Sequence, residues 1–188
     1  MAELKALTPL GGYEPQLDRF DGLTIREVTD RALASLAARM GREADCAAAA
    51  RAFLGTDLPA PARWTAAGDF TAWWMAPDQW MVDADCAGHT LLTAEVKTAV
   101  GEAGSVTEQT DGWCRFDLEG PRCFDVLERL CQLDLRAGSA GDAQRCALEH
   151  VGVFLLCREP GQSYAVLGPR SSAGSLHHAL VTAAASVL

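Results

Sequence analysis

The sequence predicts an α+β protein built from two pseudo-repeated halves, in which strand, helix, hairpin and helix form antiparallel sheets covered by helices. Two local observations lead to this prediction. Aromatic and β-branched residues flank a Pro-Asp turn in the stretch 69–83, a pattern typical of a β-hairpin. Apolar residues at helical spacing lie on both sides of this stretch. A third observation is that the same order of elements recurs later in the chain of 188 residues.

The predicted hairpin contains Trp73, Trp74 and Trp80, which are three of the five tryptophans. Adjacent residues of a strand point to opposite faces of the sheet, so Trp73 and Trp74 cannot share one environment. One of them can fill the core, while the other must lie under a helix, in a cavity or against another protein. Because tryptophan is enriched in binding hot spots, we take Trp73, Trp74 and Trp80 as candidate subunit-interface residues. Core filling is the alternative interpretation.

The first half of the chain begins with residues 1–21, whose glycines and prolines predict an extended arm without a regular element. Such an arm is either a disordered tail or a segment that orders on a partner. Alternating apolar residues then predict a strand over 23–28. An alanine-rich helix over 43–54 ends at Gly55, and a Pro/Ala loop leads into the hairpin.

The second half is predicted to repeat this order. A helix over 89–102 ends the first half. The elements of the second half are a hairpin pairing 105–109 with 114–118 across Asp111-Gly112, a helix after Gly120-Pro121, strands over 146–148, 151–157 and 164–167, and a final helix capped by Ser171-Ser172.

The internal repeat places Trp80 over Tyr164, Leu92 over Leu176 and Val96 over Leu180. It also decides the prediction for residues 32–40. Their leucine spacing and alanine content favour a helix, but the repeat requires a strand, which we expect to pair with 23–28. The predicted organisation is an N-terminal arm (1–21) and a single domain (22–188) of two pseudo-repeats (22–104 and 105–188).

Composition narrows the class of partner. A net charge of −9 argues against nucleic acid or an anionic membrane. The sequence shows neither an apolar run of transmembrane length nor a secretory signal, so a cytoplasmic location is expected. Seven cysteines, without a C-x-x-C motif and set mostly in apolar patterns, predict buried, reduced thiols.

The sequence contains none of the common phosphate-binding, nucleophile-elbow or zinc-protease motifs. Cys86 and His89 have a C-x-x-H spacing, but no second ligand pair follows at the distance of a metal site. Cys114 and Cys157 have no local base that would activate them. We therefore predict no catalytic, cofactor-binding or metal-ligating residue.

Three carboxylates lie close to the predicted hairpin, and they could form an acid/base pair. We interpret them instead as solvated turn and cap residues, because they flank a turn and the start of a helix. They are Asp78, Asp83 and Asp85.

Two stretches resemble a known superfamily. Phe116-Asp117-Leu118-Glu119-Gly120-Pro121, followed by a helix and Leu133-Asp134-Leu135-Arg136, resembles the folate-binding fold of the glycine-cleavage T-protein, an aminomethyltransferase. Within that superfamily, the stretch from Trp73 to Val82 resembles the W-x-x-P-D-x-W segment of the gamma subunits of heterotetrameric sarcosine oxidases. Gly168-Pro169-Arg170-Ser171 is also similar, and the resemblance covers residues 23–188.

The resemblance implies a non-catalytic structural subunit that assembles with alpha, beta and delta subunits. Such a complex demethylates sarcosine oxidatively to glycine, releases peroxide and transfers the one-carbon unit to tetrahydrofolate. The resemblance places FAD, FMN, NAD, tetrahydrofolate and zinc on the other subunits, and none of them on this chain.

Two alternatives remain open. A stand-alone folate-binding one-carbon-transfer protein would need a central cavity with a carboxylate facing the pterin, for which Asp78 and Asp134 are the candidates. The K-G-C-x-x-G-Q-E motif of the stand-alone iron–sulfur assembly relatives is absent from the sequence. The other alternative is a general interaction module.

Overall fold

The computed structural model describes residues 5–188, and these fold into two compact units. The flanking unit combines residues 5–29 with Gly112–Leu188, and the middle unit is the continuous segment Asp30–Asp111. Among the described residues, no helix is long and apolar enough to cross a membrane.

The described residues form strands and helices in the following order. They are β1 (Leu17–Phe20), β2 (Leu23–Val28), β3 (Arg31–Ala38), α1 (Glu43–Leu54), β4 (Trp64–Ala67), β5 (Phe70–Ala76), β6 (Gln79–Asp85), α2 (Leu92–Val100), β7 (Gly104–Glu108), β8 (Trp113–Glu119), α3 (Cys123–Leu130), β9 (Ala143–Leu148), β10 (Val151–Glu159), β11 (Ser163–Pro169) and α4 (Ala173–Val187).

The middle unit is a five-stranded antiparallel sheet in the order β4-β5-β6-β3-β7. Successive side chains of a strand point to opposite faces of the sheet, and one face carries Leu36 and Val82 towards α1 and α2. Leu92 and Val96 of α2 are buried in the same core, since they lie one helical turn apart.

The flanking unit is a six-stranded antiparallel sheet in the order β1-β2-β8-β11-β10-β9. Its core places Ile25 and Phe116 of the sheet against Leu127 of α3 and Leu180 of α4. The strong amphipathicity of α3 follows from four buried residues on one stripe, namely Cys123, Val126, Leu127 and Leu130.

The predicted fold class is confirmed. Strand order β4-β5-β6-β3-β7 in one unit corresponds to β9-β10-β11-β8-β2 in the other, so the two units repeat one pattern, although β2 comes from the predicted first half (22–104). The predicted equivalence of Trp80 and Tyr164 is confirmed, because each is the second residue of its strand. Helix α1 has the predicted bounds, and Gly55 ends it in the left-handed conformation with φ 75°.

Two predicted strand pairings are wrong. Residues 31–38 do form a strand, but β3 pairs with β6 and β7, whereas β2 pairs with β1 and β8. The hairpin predicted across Asp111-Gly112 is absent from the described pairings, since β7 and β8 belong to different sheets and Thr110–Gly112 form a 3-10 turn. A turn dipeptide specifies only the local backbone geometry and not which strands pair. In each sheet, some neighbouring strands come from distant parts of the chain.

Two strands lie in segments predicted to be irregular. Strand β1 occupies the end of the predicted arm, and β4 lies in the predicted Pro/Ala loop. Each is a four-residue edge strand, too short for its alternation to be recognised. Ser172 precedes α4 as predicted, but its side chain makes no capping hydrogen bond.

The arm before β1 is ordered on its own unit. Buried Glu27 accepts hydrogen bonds from the backbone N–H groups of Leu10 (2.9 Å) and Gln16 (3.0 Å). Arg170 also donates to the carbonyl of Leu7 at 2.7 Å. These contacts hold the segment without a second protein, while residues 1–4 lie outside the described residues.

Candidate functional site

The tryptophan hairpin consists of β5 and β6 joined at Pro77-Asp78. The carbonyl of Asp78 accepts a hydrogen bond of 2.9 Å from the N–H of Ala38, and this anchors the turn. In the register of the hairpin, Trp74 lies opposite Trp80, whereas Trp73 lies opposite Met81. Residues directly opposite each other share a face, so Trp74 and Trp80 lie on one face and Trp73 on the other. This confirms that the adjacent tryptophans point in opposite directions.

The three candidate interface residues differ in exposure. Trp73 is 0 % exposed, which favours the alternative interpretation, core filling, over the interface role predicted for it. Trp74 and Trp80 are partly exposed, and their interface role stays a prediction. The indole N–H of Trp80 donates to the carbonyl of Pro59 at 2.9 Å, which fixes the orientation of its ring.

The accessible end of the hairpin forms a small mixed surface, which we call the tryptophan edge. It consists of Trp74, Pro77, Gln79 and Trp80. The N–H of Trp74 donates to the carbonyl of Arg63 at 3.0 Å, so the loop before β4 supports this edge. Rigid aromatic groups beside an exposed turn are a suitable composition for a protein contact.

The three carboxylates near the hairpin differ in their surroundings, and two of them have partners within the chain. Asp83 is buried and forms an ion pair with Arg31, so the interpretation of Asp83 as a solvated residue is wrong. The carboxylate of Asp85 accepts a hydrogen bond of 3.3 Å from the N–H of Gly88. Asp78 lies exposed in the turn with φ 55°.

Cys86 and His89 belong to the segment that leads into α2. The Nδ1 atom of His89 lies 2.7 Å from Oε2 of Glu95, and its ring centroid lies 4.7 Å from that of Phe70. Burial and the neighbouring Asp85 carboxylate raise the pKa of the Cys86 thiol. Within residues 5–188, no group of three or more histidine, cysteine, aspartate or glutamate side chains is placed to hold a metal ion.

Asp134, a candidate for the folate alternative, accepts a hydrogen bond of 3.2 Å from the N–H of Ala137. It lines a cavity of about 20 Å³ together with Leu135, Cys157 and Tyr164. A space of this size holds about one water molecule, so this cavity does not admit a pterin ring.

A larger open cavity of about 660 Å³ lies between the end of α3, the turn between β9 and β10, and α4. Leu130, Leu148 and Ala183 contribute apolar surface, while His150 and His178 are among its polar residues. No local pattern in the sequence predicts this cavity, because its residues come from three separate segments.

The prediction of buried thiols is confirmed for Cys46, Cys114, Cys123 and Cys157, but it is wrong for the partly exposed Cys86, Cys131 and Cys146. Burial raises the pKa of Cys114 to about 11 and that of Cys123 to about 12, so these thiols are poor nucleophiles at neutral pH.

Sequence reasoning also missed that the Cys131 and Cys146 thiols affect each other's pKa. A hydrogen bond from the Cys146 thiol lowers the pKa of Cys131 to about 6, and the N–H of Leu133 contributes in the same direction, although burial opposes both. The same thiol contact, followed by burial, raises the pKa of Cys146. Residues 15 positions apart on a helix end and a strand leave no local sequence signal.

Comparison with known proteins identifies the fold. No protein-family model and no curated protein matches the chain. Among solved structures, it superposes on a chain of heterotetrameric sarcosine oxidase from Corynebacterium sp. U-96, in complex with pyrrole 2-carboxylate, with a TM-score of 0.75 and 28 % identity over 88 % of this chain and 85 % of that chain. It also superposes on the glycine cleavage system aminomethyltransferase T from Bartonella henselae with a TM-score of 0.60 and 15 % identity. The chain has the aminomethyltransferase-like fold.

The aminomethyltransferase-like fold confirms the resemblance found in the sequence. The match covers 82 % of this chain but only 44 % of the Bartonella aminomethyltransferase, so the chain corresponds to less than half of that enzyme. The sarcosine oxidase chain, by contrast, is matched over 85 % of its length.

Proposed function

We propose that this chain is the non-catalytic gamma subunit of a heterotetrameric sarcosine oxidase. The observation that carries the proposal is the match to a chain of such an oxidase, at 28 % identity over 88 % of this chain and 85 % of that chain. The complex would demethylate sarcosine to glycine and transfer the one-carbon unit to tetrahydrofolate in the cytoplasm. Its flavins, NAD, folate and zinc would belong to the alpha, beta and delta subunits.

The contacts of the polar side chains support a structural role. Asp83 is committed to Arg31, and His89 lies against Glu95 and Phe70. A catalytic acid or base must reach a substrate, so side chains engaged inside their own unit are better suited to stabilising the fold.

The tryptophan edge is the surface that we propose for contact with a catalytic subunit. Trp74 and Trp80 present partly exposed aromatic surface whose orientation is fixed by the hairpin and by the hydrogen bond from Trp80 to Pro59. Aromatic side chains that are already ordered lose little conformational entropy on binding, which favours their use as anchors.

Co-expression of the tagged chain with the alpha, beta and delta subunits tests assembly. We expect affinity purification through this chain to recover all four subunits and the absorbance of a bound flavin. Recovery of this chain alone, from cells in which the other subunits form a flavin-containing complex, would refute the proposal.

The contact surface is tested with two matched alanine variants. Trp74→Ala should lower the affinity for the other subunits by about tenfold or more, as expected for a hot-spot tryptophan. Leu91 is 69 % exposed at the start of α2, and Leu91→Ala should leave the affinity unchanged. Equal affinities of the two variants for an assembled complex would exclude the tryptophan edge while leaving the subunit assignment intact.

A further inference from the structure

Strand β7 has an open outer edge. It ends the sheet of the middle unit and pairs with β3 alone, so no strand within residues 5–188 lies on its other side. Three of its five residues, Ser105, Thr107 and Glu108, are exposed. The equivalent strand of the flanking unit, β2, has β1 on that side. The middle unit therefore has one strand fewer than its repeat.

The strand pairings show which residues of β7 and β2 are equivalent. Trp80 and Val106 lie opposite the same residue of β3. Tyr164 and Ile25 lie opposite the same residue of β8. The two aromatic residues are equivalent, so Val106 corresponds to Ile25. Because Ile25 lies opposite Asp18 of β1, a strand added to the middle unit would place one residue opposite Val106.

The backbone groups of Val106 point towards the open edge. The N–H of Gln109 donates to the carbonyl of Leu33 at 2.9 Å. The N–H of Arg39 donates to the carbonyl of Ala103, also at 2.9 Å. Both bonds follow the register of β3 and β7, in which every second residue bonds to the partner strand. Val106 falls between these residues, so its N–H and carbonyl face outwards and can pair with another strand.

The flanking unit shows which face the added residue would take. Asp18 lies opposite Ile25, which is buried in the core below the helices. The carboxylate of Asp18 lies 2.7 Å from Nε2 of His177 on α4. The side chain at this place therefore lies on the helix-covered face and meets a polar group of the helix. In the middle unit the helix that follows the equivalent hairpin is α2.

Helix α2 places a positive charge beside β7. The ammonium of Lys97 donates to the carbonyl of Gly104 at 3.1 Å, and the hydroxyl of Thr93 donates to the carboxylate of Glu108 at 2.7 Å. These contacts lie on either side of Val106 along the strand. A side chain opposite Val106 on this face would come close to Lys97, for which a carboxylate is the complementary charge.

We propose that an extended segment of another subunit of the oxidase pairs with β7 as a sixth, antiparallel strand, with an aspartate or glutamate opposite Val106. The inference rests on the proposed function, which supplies the partner. Main-chain hydrogen bonds give such a strand its affinity, and its alternate side chains give the specificity. The tryptophan edge belongs to β5 and β6, so the two contacts can be tested separately.

Hydrogen exchange of the wild-type chain tests the strand addition without any substitution. The Val106 amide should exchange rapidly in the isolated chain and about 100-fold or more slowly in the complex co-expressed with the alpha, beta and delta subunits. Mass spectrometry with electron-transfer fragmentation measures both rates. Ile25 is the internal control, because it is already paired with β1 and should be protected in both states.

An assembled complex in which the Val106 amide still exchanges rapidly would overturn the inference and leave the subunit assignment intact. Slow exchange that needs only dimerisation of the isolated chain would also overturn it, because the added strand would then come from a second copy.

Two proline variants locate the contact. Val106→Pro removes an outward N–H, which edge strands tolerate, so the chain should stay folded while its affinity for the other subunits falls about tenfold or more. Ala147→Pro on edge strand β9 is the matched control. The N–H of Cys157 donates to the carbonyl of Asp142 at 2.8 Å in the register of β9 and β10, so the N–H of Ala147 also faces outwards. Equal affinities of the two folded variants would contradict pairing at β7.

Lys97→Gln tests the charge of the added strand. Glutamine keeps a donor for the Gly104 carbonyl but removes the positive charge. Glu102, which lies 3.8 Å from Lys97, is 78 % exposed, so solvent screens it and the ammonium remains available to a partner. The affinity should fall about threefold and depend less steeply on salt. Unchanged affinity and salt dependence would exclude a carboxylate opposite Val106.

Discussion

Trp73 and Trp74 are neighbours in the sequence, but their side chains have separate roles. Trp73 is completely buried, whereas Trp74 lies at the partly exposed edge opposite Trp80. A buried tryptophan contributes mainly through the apolar area it removes from water and the volume it fills. Substitutions at these two adjacent positions should therefore change the stability of the chain to different extents.

Trp73→Ala should lower the free energy of unfolding by about 3–5 kcal/mol, because it removes a buried side chain and leaves a cavity. Trp74→Ala should cost clearly less, since its ring keeps contact with water in the folded chain. Urea unfolding followed by circular dichroism measures both changes. Equal losses for the two variants would contradict the assignment of Trp73 to the core.

Asp117 is the second residue whose burial has a measurable consequence. Its side chain is 3 % exposed, and its carboxylate lies 2.8 Å from both Arg115 and Arg158. Burial alone would raise the pKa of Asp117, but the guanidinium groups of Arg115 and Arg158 outweigh it, and the pKa is lowered. The ionised form therefore stabilises the folded state.

Asp117→Asn should destabilise the chain by about 3 kcal/mol at pH 7, because it removes a buried negative charge that partly buried Arg115 and Arg158 both contact. The folded-state pKa lies below the unfolded value of about 3.9, so the contribution of the carboxylate is present above that pH and is lost as the pH falls through the folded pKa. Unfolding measurements from pH 7 to pH 3 should show the difference between wild type and variant narrowing below about pH 4. A difference that stays constant into acid would show that the charge is not responsible.

At the scale of elements, the middle unit contains two tight strand connections with a left-handed residue. Asp78 joins β5 to β6 with φ 55°, and Gly68 joins β4 to β5 with φ 54°. A residue with a Cβ atom is strained at such a φ, whereas glycine is not. Neighbouring atoms do not add to this effect at Gly68, since a Cβ atom there would meet nothing within 4 Å.

Introducing glycine in one connection and removing it from the other should have opposite effects on the stability of the chain. Asp78→Gly should stabilise the chain by up to about 1 kcal/mol, and Gly68→Ala should destabilise it by about 1 kcal/mol. Thermal unfolding of both variants measures the changes. Loss of stability in Asp78→Gly would mean that the aspartate side chain supports the turn by a contact that outweighs the strain.

The helices and strands also show which parts of the fold can be predicted from local sequence patterns. Helix α1 and the tryptophan hairpin were predictable because caps, turn residues and periodicity all lie within a few residues of each other. The internal repeat then predicted β3 as a strand against its helix-favouring composition. Short edge strands such as β4 carry too few alternating residues to be recognised.

At the scale of the whole molecule, local patterns could not supply the pairing of distant segments. Strand β2 pairs with β8, and β3 pairs with β7, although the sequence favoured neighbours in the chain. For the same reason the sequence did not predict that Cys131 and Cys146 affect each other's pKa. Alternation placed Trp73 and Trp74 on opposite faces, but it could not tell which face was buried, because both faces of the hairpin are apolar.

The separation of β2 from β8 also sets an order of events during synthesis. The middle unit is one continuous segment, so all its strands are available once residue 111 has emerged from the ribosome. Strand β2 must wait for its partner, because about 85 residues separate Val28 from Trp113. At elongation rates of roughly 5–20 residues per second this delay is roughly 4–17 s, which is long enough for a small unit to fold. The nascent chain is therefore expected to carry a finished middle unit while β1 and β2 are still without the strand that completes their sheet.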